Sequence, residues 1–179
     1  GWYGGWVDEI CMRLVDIKLA IPTILLALVM VLALGQSFVL IVAVLALTIW
    51  PRIARNVRGE VLSLKTADYV GLAKVAGAST PRIMIVHIFP GLINTLIVLT
   101  TLEIGIVILL EATLSFLGAG VPPPTPAWGS MVADGRDRLA VAWWISTLPG
   151  LAIVSVVMAA NIFGDWLRDT LDPRLRQLK

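Results

Sequence analysis

Long apolar stretches separated by short polar segments dominate this chain. Four stretches have the length and hydrophobicity of membrane-spanning helices, and they cover residues 17–35, 37–54, 92–118 and 140–166. At about 1.5 Å per residue the first two are each roughly 28 Å long, close to the hydrocarbon thickness of a bilayer. The last two would each reach roughly 40 Å as unbroken helices, so they must tilt, kink or protrude. The pattern predicts an all-α, polytopic helical membrane protein.

Composition supports this class. Hydrophobic residues make up 58% of the chain, charged residues only 15%, and the mean hydropathy is +0.90. An ordinary soluble domain is excluded because four such helices would lack amphipathic partners to cover them.

A segment of mostly small or polar residues, 67–90, interrupts the apolar pattern. Residues 67–76 are good helix formers with apolar positions at helical spacing. Gly77 suits a left-handed C-terminal cap, and Thr80-Pro81 supplies an N-cap followed by a first-turn proline. The segment therefore predicts two short helices around a glycine, at a membrane surface where a partner docks.

The basic residues indicate the orientation. Of the 14 lysines and arginines, 12 lie in the head (1–18), in the second polar region (52–91) and in the tail (167–179). Four crossings place all three regions on one side, which the positive-inside rule makes cytoplasmic. The net charge of +2 thus reflects topology and does not indicate affinity for nucleic acid.

Catalytic chemistry and resident cofactors are not indicated. His87 is the only histidine and Cys11 the only cysteine, which excludes a metal site with two or more His ligands and a cysteine cluster. A phosphate loop of the GxxxxGK[ST] type is absent, so we do not expect this chain to bind ATP itself.

Two carboxylates, Glu103 and Glu111, fall inside the third apolar stretch. An isolated carboxylate in hydrocarbon is costly, so each should face a cavity or a partner helix. Eight residues leave them roughly 80° apart and two helical turns separated, too far for a tight pair. Each could line a solute path or form a structural hydrogen bond between helices, and the structural role is favoured for Glu111.

Two further segments flank the apolar stretches. Arg52, Arg55 and Arg58 recur every three residues after Pro51, a basic stripe for which headgroup anchoring is the expected role. The proline-rich segment 121–128 (VPPPTPAW) is too rich in proline for a helix and should form a stiff extended cover.

Several motifs in this order resemble one known family. They are GWYGGWVDEICMRLVDI at the head, WPRIARNVRGEVLSLK, DYVGLAKVAGAS with HIFP, ILLEATLSFLGAG, PPPTPAWG, and GDWLRDTLDPR at the tail. Together they resemble the inner-membrane permease subunits of bacterial ABC importers, and most closely the second permease of the dipeptide/oligopeptide/nickel branch. The resemblance covers the whole chain.

The family's cytoplasmic loop has the pattern EAA, three residues, Gly, nine residues, then I-x-L-P. By this resemblance Gly71-Leu72-Ala73 occupies the EAA position, Gly77 is the loop glycine and 87–90 (HIFP) closes the loop. Gly71 replaces the acidic residue, a departure that removes a charge and weakens the first loop helix by about 0.5–1 kcal/mol relative to alanine. The resemblance assigns contact with the ATPase to the loop positions Gly71, Leu72, Ala73, Ala76, Gly77, Ala78 and Ser79.

The resemblance further implies a type I ABC importer (MetI-like) transmembrane domain with cytoplasmic coupling helices in the bacterial inner membrane. The implied partners are a second permease subunit, two ATPases that bind ATP below, an external solute-binding protein above, and the surrounding lipid. Family members suggest six spans, and the chain begins at Gly1 with a sequence typical of the exit from an apolar segment. We therefore expect an N-terminal truncation.

The sequence is compatible with more than one cargo and more than one class of membrane protein. The cargo implied is a dipeptide or oligopeptide, with nickel or another small solute as the second possibility. A secondary transporter would use Glu103 or Glu111 as a proton or cation site, and a small channel or scaffold would need no docking segment.

Overall fold

The computed structural model describes residues 1–171, and every regular element in that part of the chain is helical. We number the helices in chain order as follows: α1 Gly5–Ala20, α2 Thr23–Leu34, α3 Phe38–Lys65, α4 Asp68–Val75, α5 Thr80–Phe116, α6 Trp128–Gly135, α7 Leu139–Ala142 and α8 Trp144–Leu171. The predicted all-α class is confirmed. The last eight residues of the predicted cytoplasmic tail lie outside the described residues.

The first predicted span, 17–35, does not form one helix. The chain bends by 86° between α1 and α2. Pro22 causes the break, because proline disfavours helical geometry at the preceding residue, and Ile21 is extended with φ −89° and ψ 127°. The twelve residues of α2 are only about 18 Å long. Helix α1 carries several charged side chains and lies nearly perpendicular to α2.

The other predicted spans lie within longer helices. Helix α3 begins one residue after Ser37, whose hydroxyl accepts a hydrogen bond from the Leu40 amide at 3.1 Å, and it passes through Pro51 to end at Lys65. Helix α8 covers the fourth stretch. By length and composition, three described helices are able to cross a membrane, and a fourth span is added if α1 and α2 count as one bent span.

The second short helix expected in the segment 67–90 is not separate. Helix α5 starts at Thr80 and continues without a break to Phe116, over 37 residues. Its backbone passes through one π-helical segment, Ile83–Ile88, before resuming α-helical geometry at Phe89. Pro90 does not end the helix, because it falls at the first positions of the resumed α-helical stretch, where a missing N–H costs little.

The bundle is held by two apolar clusters. The first joins α2, α3 and α5, and its buried members are Ala27, Val31, Ile41, Val44, Leu45, Leu114 and Ala119. The second, which we call the loop cluster, consists of Val70, Ile83, Ile88 and Leu92. It lies at the end of the bundle where α4 is found, which we call the loop end.

Residues 117–143 form the opposite end of the bundle, which we call the distal cap. Helix α6 packs against both α5 and α8. The predicted extended segment 121–128 contains a turn, in which the Thr125 amide donates to the Pro122 carbonyl at 3.3 Å. The cap is attached to the start of α3 by Gln36, whose side-chain amide donates to the Gly118 carbonyl at 2.7 Å.

Candidate functional site

The candidate site is helix α4 with the turn that follows it. The turn is a Schellman motif: the Ala78 amide donates to the Ala73 carbonyl at 3.0 Å, and the Gly77 amide donates to the Lys74 carbonyl at 3.0 Å. Gly77 has φ +78°, which confirms the left-handed cap predicted from the sequence. The N-cap of α5 is Ser79, one residue before the predicted Thr80, and Pro81 lies in the first turn.

One face of α4 is fixed to the rest of the protein. Val70 is fully buried in the loop cluster. Ala73 and Ala78, the two ends of the Schellman turn, also pack against this cluster. Both alanines were predicted to contact an ATPase, but they face the interior of the subunit, where their small side chains allow α4 to approach the start of α5.

The opposite face of α4 is apolar and has no partner among the described residues. Leu72 is 69% exposed and Val75 is 87% exposed. The remaining predicted contact positions, Gly71, Ala76, Gly77 and Ser79, are also exposed. A methyl group added at Gly71 or Gly77 would meet no atom within 4 Å. Val75 is the most exposed apolar side chain of the loop. It was not predicted as a contact because it is not one of the residues of the loop motif.

His87 lies in the π-helical segment behind this surface. Its ring centroid is 6.5 Å from that of Tyr69 on α4, with the planes tilted by 51°. This contact joins α4 to the first turns of α5. His87 thus has a packing partner, Tyr69, within the subunit.

The basic stripe on α3 has partners within the subunit as well. Arg55 donates to the Asp16 carboxylate at 2.6 Å, and Arg58 binds Asp8 with its shortest contact also at 2.6 Å. Both carboxylates belong to α1. The stripe was expected to anchor headgroups, but Arg55 and Arg58 pair with α1, which no local sequence pattern indicates.

Glu103 lies beside a small cavity of about 50 Å³ between α2, α3 and α5. Thr23, Thr48 and Arg52 contribute the polar part of its lining. One carboxylate oxygen of Glu103, Oε2, is buried and has no hydrogen-bond partner among the described residues. A cavity of this size holds a water molecule or two. The sequence did not place Arg52 and Glu103 on the same cavity.

Glu111 has a different environment. Its Oε1 accepts a hydrogen bond of 2.6 Å from the hydroxyl of Ser115, one turn further along α5. Ser115 is buried, and it lies where the distal cap meets α5. The two carboxylates of α5 therefore occupy separate sites.

Comparison with known proteins agrees with this architecture. Residues 1–177 match the family model described as "Binding-protein-dependent transport system inner membrane component". A putative peptide transport system permease protein of Brucella suis is 47% identical over 98% of this chain and 59% of its own length. The dipeptide transport system permease protein of Haemophilus influenzae is 45% identical over 99% of this chain and 60% of its own length.

A third relative, the glutathione transport system permease protein of Pectobacterium atrosepticum, is 41% identical over 98% of this chain and 58% of its own length. The chain thus spans somewhat more than half the length of these relatives. With a family match over nearly all of its residues, the chain belongs to the inner-membrane components of binding-protein-dependent transport systems.

Proposed function

We propose that this chain is the membrane-spanning permease subunit of an ATP-driven, binding-protein-dependent importer. Its helices would form part of the translocation path together with a second permease subunit. Two separate ATPase subunits and an external solute-binding protein would complete the transporter. Family membership supports this proposal, as does the presence of three or four candidate spans in the described residues.

We assign ATPase coupling to the exposed face of α4 and the turn at Gly77. The observation that carries the assignment is the opposite character of the two faces: Val70 is fully buried, whereas Leu72 and Val75 are exposed. Burial of α4 in lipid is unfavourable because the helix carries the charged residues Asp68 in its first turn and Lys74 in its last turn. An apolar groove on a partner would bury Leu72 and Val75 and exclude water from both.

The distribution of basic residues supports an orientation with this loop and the C-terminus in the cytoplasm. ATPase movement would then be transmitted to the membrane through α3 and α5, the two long helices that flank α4. Because α5 is continuous from Thr80 to Phe116, displacement of the loop acts directly on a helix that crosses the membrane.

Crosslinking tests the docking assignment. Leu72→Cys and Val75→Cys, each combined with Cys11→Ser, should crosslink to the ATPase in the assembled transporter. Met131→Cys provides the matched control, because Met131 is also an exposed apolar residue but lies in the distal cap. Crosslinks from Met131 alone, or from none of these positions, would contradict the assignment.

We propose a dipeptide or oligopeptide as the cargo. The support is that the relatives named above are peptide, dipeptide and glutathione permeases. Uptake of a radiolabelled dipeptide into cells should require this subunit and should be inhibited by unlabelled peptides in excess. Inhibition by Ni²⁺ and not by peptides would instead favour the nickel importers of the same branch.

We also propose that Glu103 contributes to the polar lining of the path, since one of its carboxylate oxygens is free beside a cavity that Arg52 shares. Glu103→Gln should reduce uptake while ATP hydrolysis continues to be required. A proton- or cation-coupled transporter would be supported instead if Glu103→Gln abolished transport and if uptake by the parent protein needed no ATPase. Glu111, which accepts a hydrogen bond from Ser115, is assigned a structural role.

A further inference from the structure

Helix α1 is attached to α3 by a partly buried ion pair, in which the Arg58 side chain is 36% exposed. The Arg58 guanidinium donates from Nε to both oxygens of Asp8, at 2.9 and 3.0 Å, and from Nη2 to Oδ2 at 2.6 Å. The Asp8 side chain is only 13% exposed. The pair therefore fixes the first half of α1 to α3.

Trp2 connects the same region to α4. The Lys65 ammonium, at the end of α3, donates to the Trp2 carbonyl at 2.7 Å. The Lys74 ammonium, on α4, lies 5.0 Å from the centroid of the Trp2 ring, within the range of a cation–π contact. The ring also packs against the loop cluster, to which Val70 belongs. Trp2 therefore contacts both the end of α3 and the candidate docking helix.

The far end of α1 leads directly into α2. Only Ile21 and Pro22 separate the two helices. Just before this bend, the Lys18 ammonium donates to the Thr48 carbonyl of α3 at 2.6 Å. A short connection that contains a proline has little freedom, so a displacement of α1 along its axis has to displace the start of α2.

We propose that Trp2 and Asp8 are positioning residues that make α1 move together with α4, so that α4 transmits ATPase movement to α2 in addition to α3 and α5. The proposal rests on the proposed docking of α4 to an ATPase. Without the Trp2 and Asp8 contacts, α4 would still dock, but α1 and α2 would no longer follow it.

The chain contains a matched control for Asp8. Asp16 also forms an ion pair between α1 and α3, with Arg55 at 2.6 Å, but its side chain is 54% exposed and only one contact is made. Exposed single pairs contribute little because water and salt screen them. Asp16 is also further along α1 from Trp2 and α4. Loss of this pair should leave the transmission intact.

Cys11 allows the movement to be measured. It is the only cysteine of the sequence, it lies in α1, and it is exposed. In the assembled transporter, with cysteine-free partner subunits, spin labels at Cys11 and at Met131→Cys report the distance between α1 and the distal cap. The distance is measured without nucleotide and after trapping with ATP and vanadate. Asp8→Asn, Trp2→Ala, Trp2→Phe and Asp16→Asn are compared with the parent protein.

We expect trapping to change the distance in the parent, in Asp16→Asn and in Trp2→Phe, which keeps an aromatic ring. In Asp8→Asn and Trp2→Ala the population that shifts should fall by at least about twofold, in line with mutations that weaken coupling without touching a ligand. ATPase copurification and Leu72→Cys crosslinking should be unchanged in all variants.

Three results would overturn the inference. The parent distance could be unaffected by trapping, Asp8→Asn and Trp2→Ala could respond like the parent, or Asp16→Asn could lose the response as fully as Asp8→Asn. If Leu72→Cys, combined with Cys11→Ser and the same Asp8 or Trp2 substitution, still crosslinks to the ATPase, the failure concerns α1 alone. If that crosslink is also missing, the docking proposal has failed as well.

Discussion

The two ends of this subunit use glycine in opposite ways. At the distal cap, a methyl group on Gly120 would overlap Ser115, one on Gly129 would overlap the backbone carbonyl of Ala112, and one on Gly135 would overlap Ser146. At the loop end, the same substitution at Gly71 or Gly77 would meet no atom within 4 Å. The cap is packed against its own chain, whereas the loop presents open surface.

The contrast shows where glycine serves internal packing and where it leaves the backbone open. At the cap, the Ser146 hydroxyl of α8 donates to the Val132 carbonyl of α6 at 2.9 Å, which attaches α6 to its own subunit beside Gly135. The loop end exposes Leu72 and Val75 next to a glycine turn. An exposed apolar face on a short polar segment marks a binding surface, and the glycines leave room for a partner to approach the backbone.

The largest effect on stability should come from adding a methyl group at a packed glycine of the distal cap. Gly129→Ala should destabilise the protein by about 3 kcal/mol, because α6 must move away from α5 to relieve the overlap. Thermal unfolding in detergent measures the change. Gly71→Ala is the matched control and should be neutral or stabilising by about 0.5–1 kcal/mol, since alanine is the better helix former. Equal destabilisation by both substitutions would remove the contrast between the two ends.

A charge on the open surface should affect binding and leave folding unchanged. Leu72→Asp should weaken the ATPase contact by roughly 2 kcal/mol, or about 30-fold, because a buried apolar anchor is replaced by a desolvated carboxylate. Copurification of the ATPase measures this loss. Val141→Asp, at an equally exposed apolar residue of the distal cap, should leave copurification unchanged.

Gly77→Arg and Ala73→Glu should both abolish uptake, but the structure separates their causes. Gly77→Arg adds a bulky side chain at the open surface, whereas Ala73→Glu forces a carboxylate toward the loop cluster. Ala73→Glu should therefore lower the thermal stability of the isolated subunit more than Gly77→Arg, which loses only the left-handed backbone preference of glycine. Normal uptake by both variants would discredit the docking role.

A smaller effect is expected from the backbone at Gly77 alone. Gly77→Ala should lower the free energy of unfolding by about 1 kcal/mol, because the φ of +78° at this position disfavours any residue with a β-carbon. The added methyl group meets no other atom, so the loss of stability measures backbone strain without a contribution from packing. Hydrogen exchange of the Ala78 amide, which donates across the turn, should increase. Unchanged exchange would show that the turn does not depend on the left-handed conformation.

The smallest effect concerns the polar contact below the distal cap. Ser115→Ala should lower the free energy of unfolding by about 0.6 kcal/mol, because Glu111 loses its hydroxyl partner. The effect is small since a hydrogen bond within a membrane contributes little net stability. Glu111→Gln should cost less, since its amide oxygen still accepts the bond. Thermal unfolding checks both. A loss of uptake in Glu111→Gln without loss of stability would instead place Glu111 in the translocation path.

Local rules predicted several features correctly. The left-handed conformation of Gly77 and the helix that ends before it were readable, because a helix terminus depends on a few neighbouring residues. The boundaries of α3 and α5 were not, since apolar runs indicate only the lipid-covered part of a helix. Helix α3 extends eleven residues past residue 54, with α1 packed against that extension.

The break at Pro22 was missed although its cause is local. The apolar run through Ile21 concealed it, because hydropathy is the same whether the helix continues or bends.

Hydrophobicity, chain order and short motifs were sufficient to predict the all-helical membrane class, the family and the position of the segment that we propose docks to an ATPase. The helix packing was needed to show which face of α4 is free, that Ala73 and Ala78 pack against the loop cluster, and that Asp8 and Arg58 meet across fifty residues. Side-chain direction and long-range pairing depend on how helices pack around one another, and no local pattern encodes that arrangement.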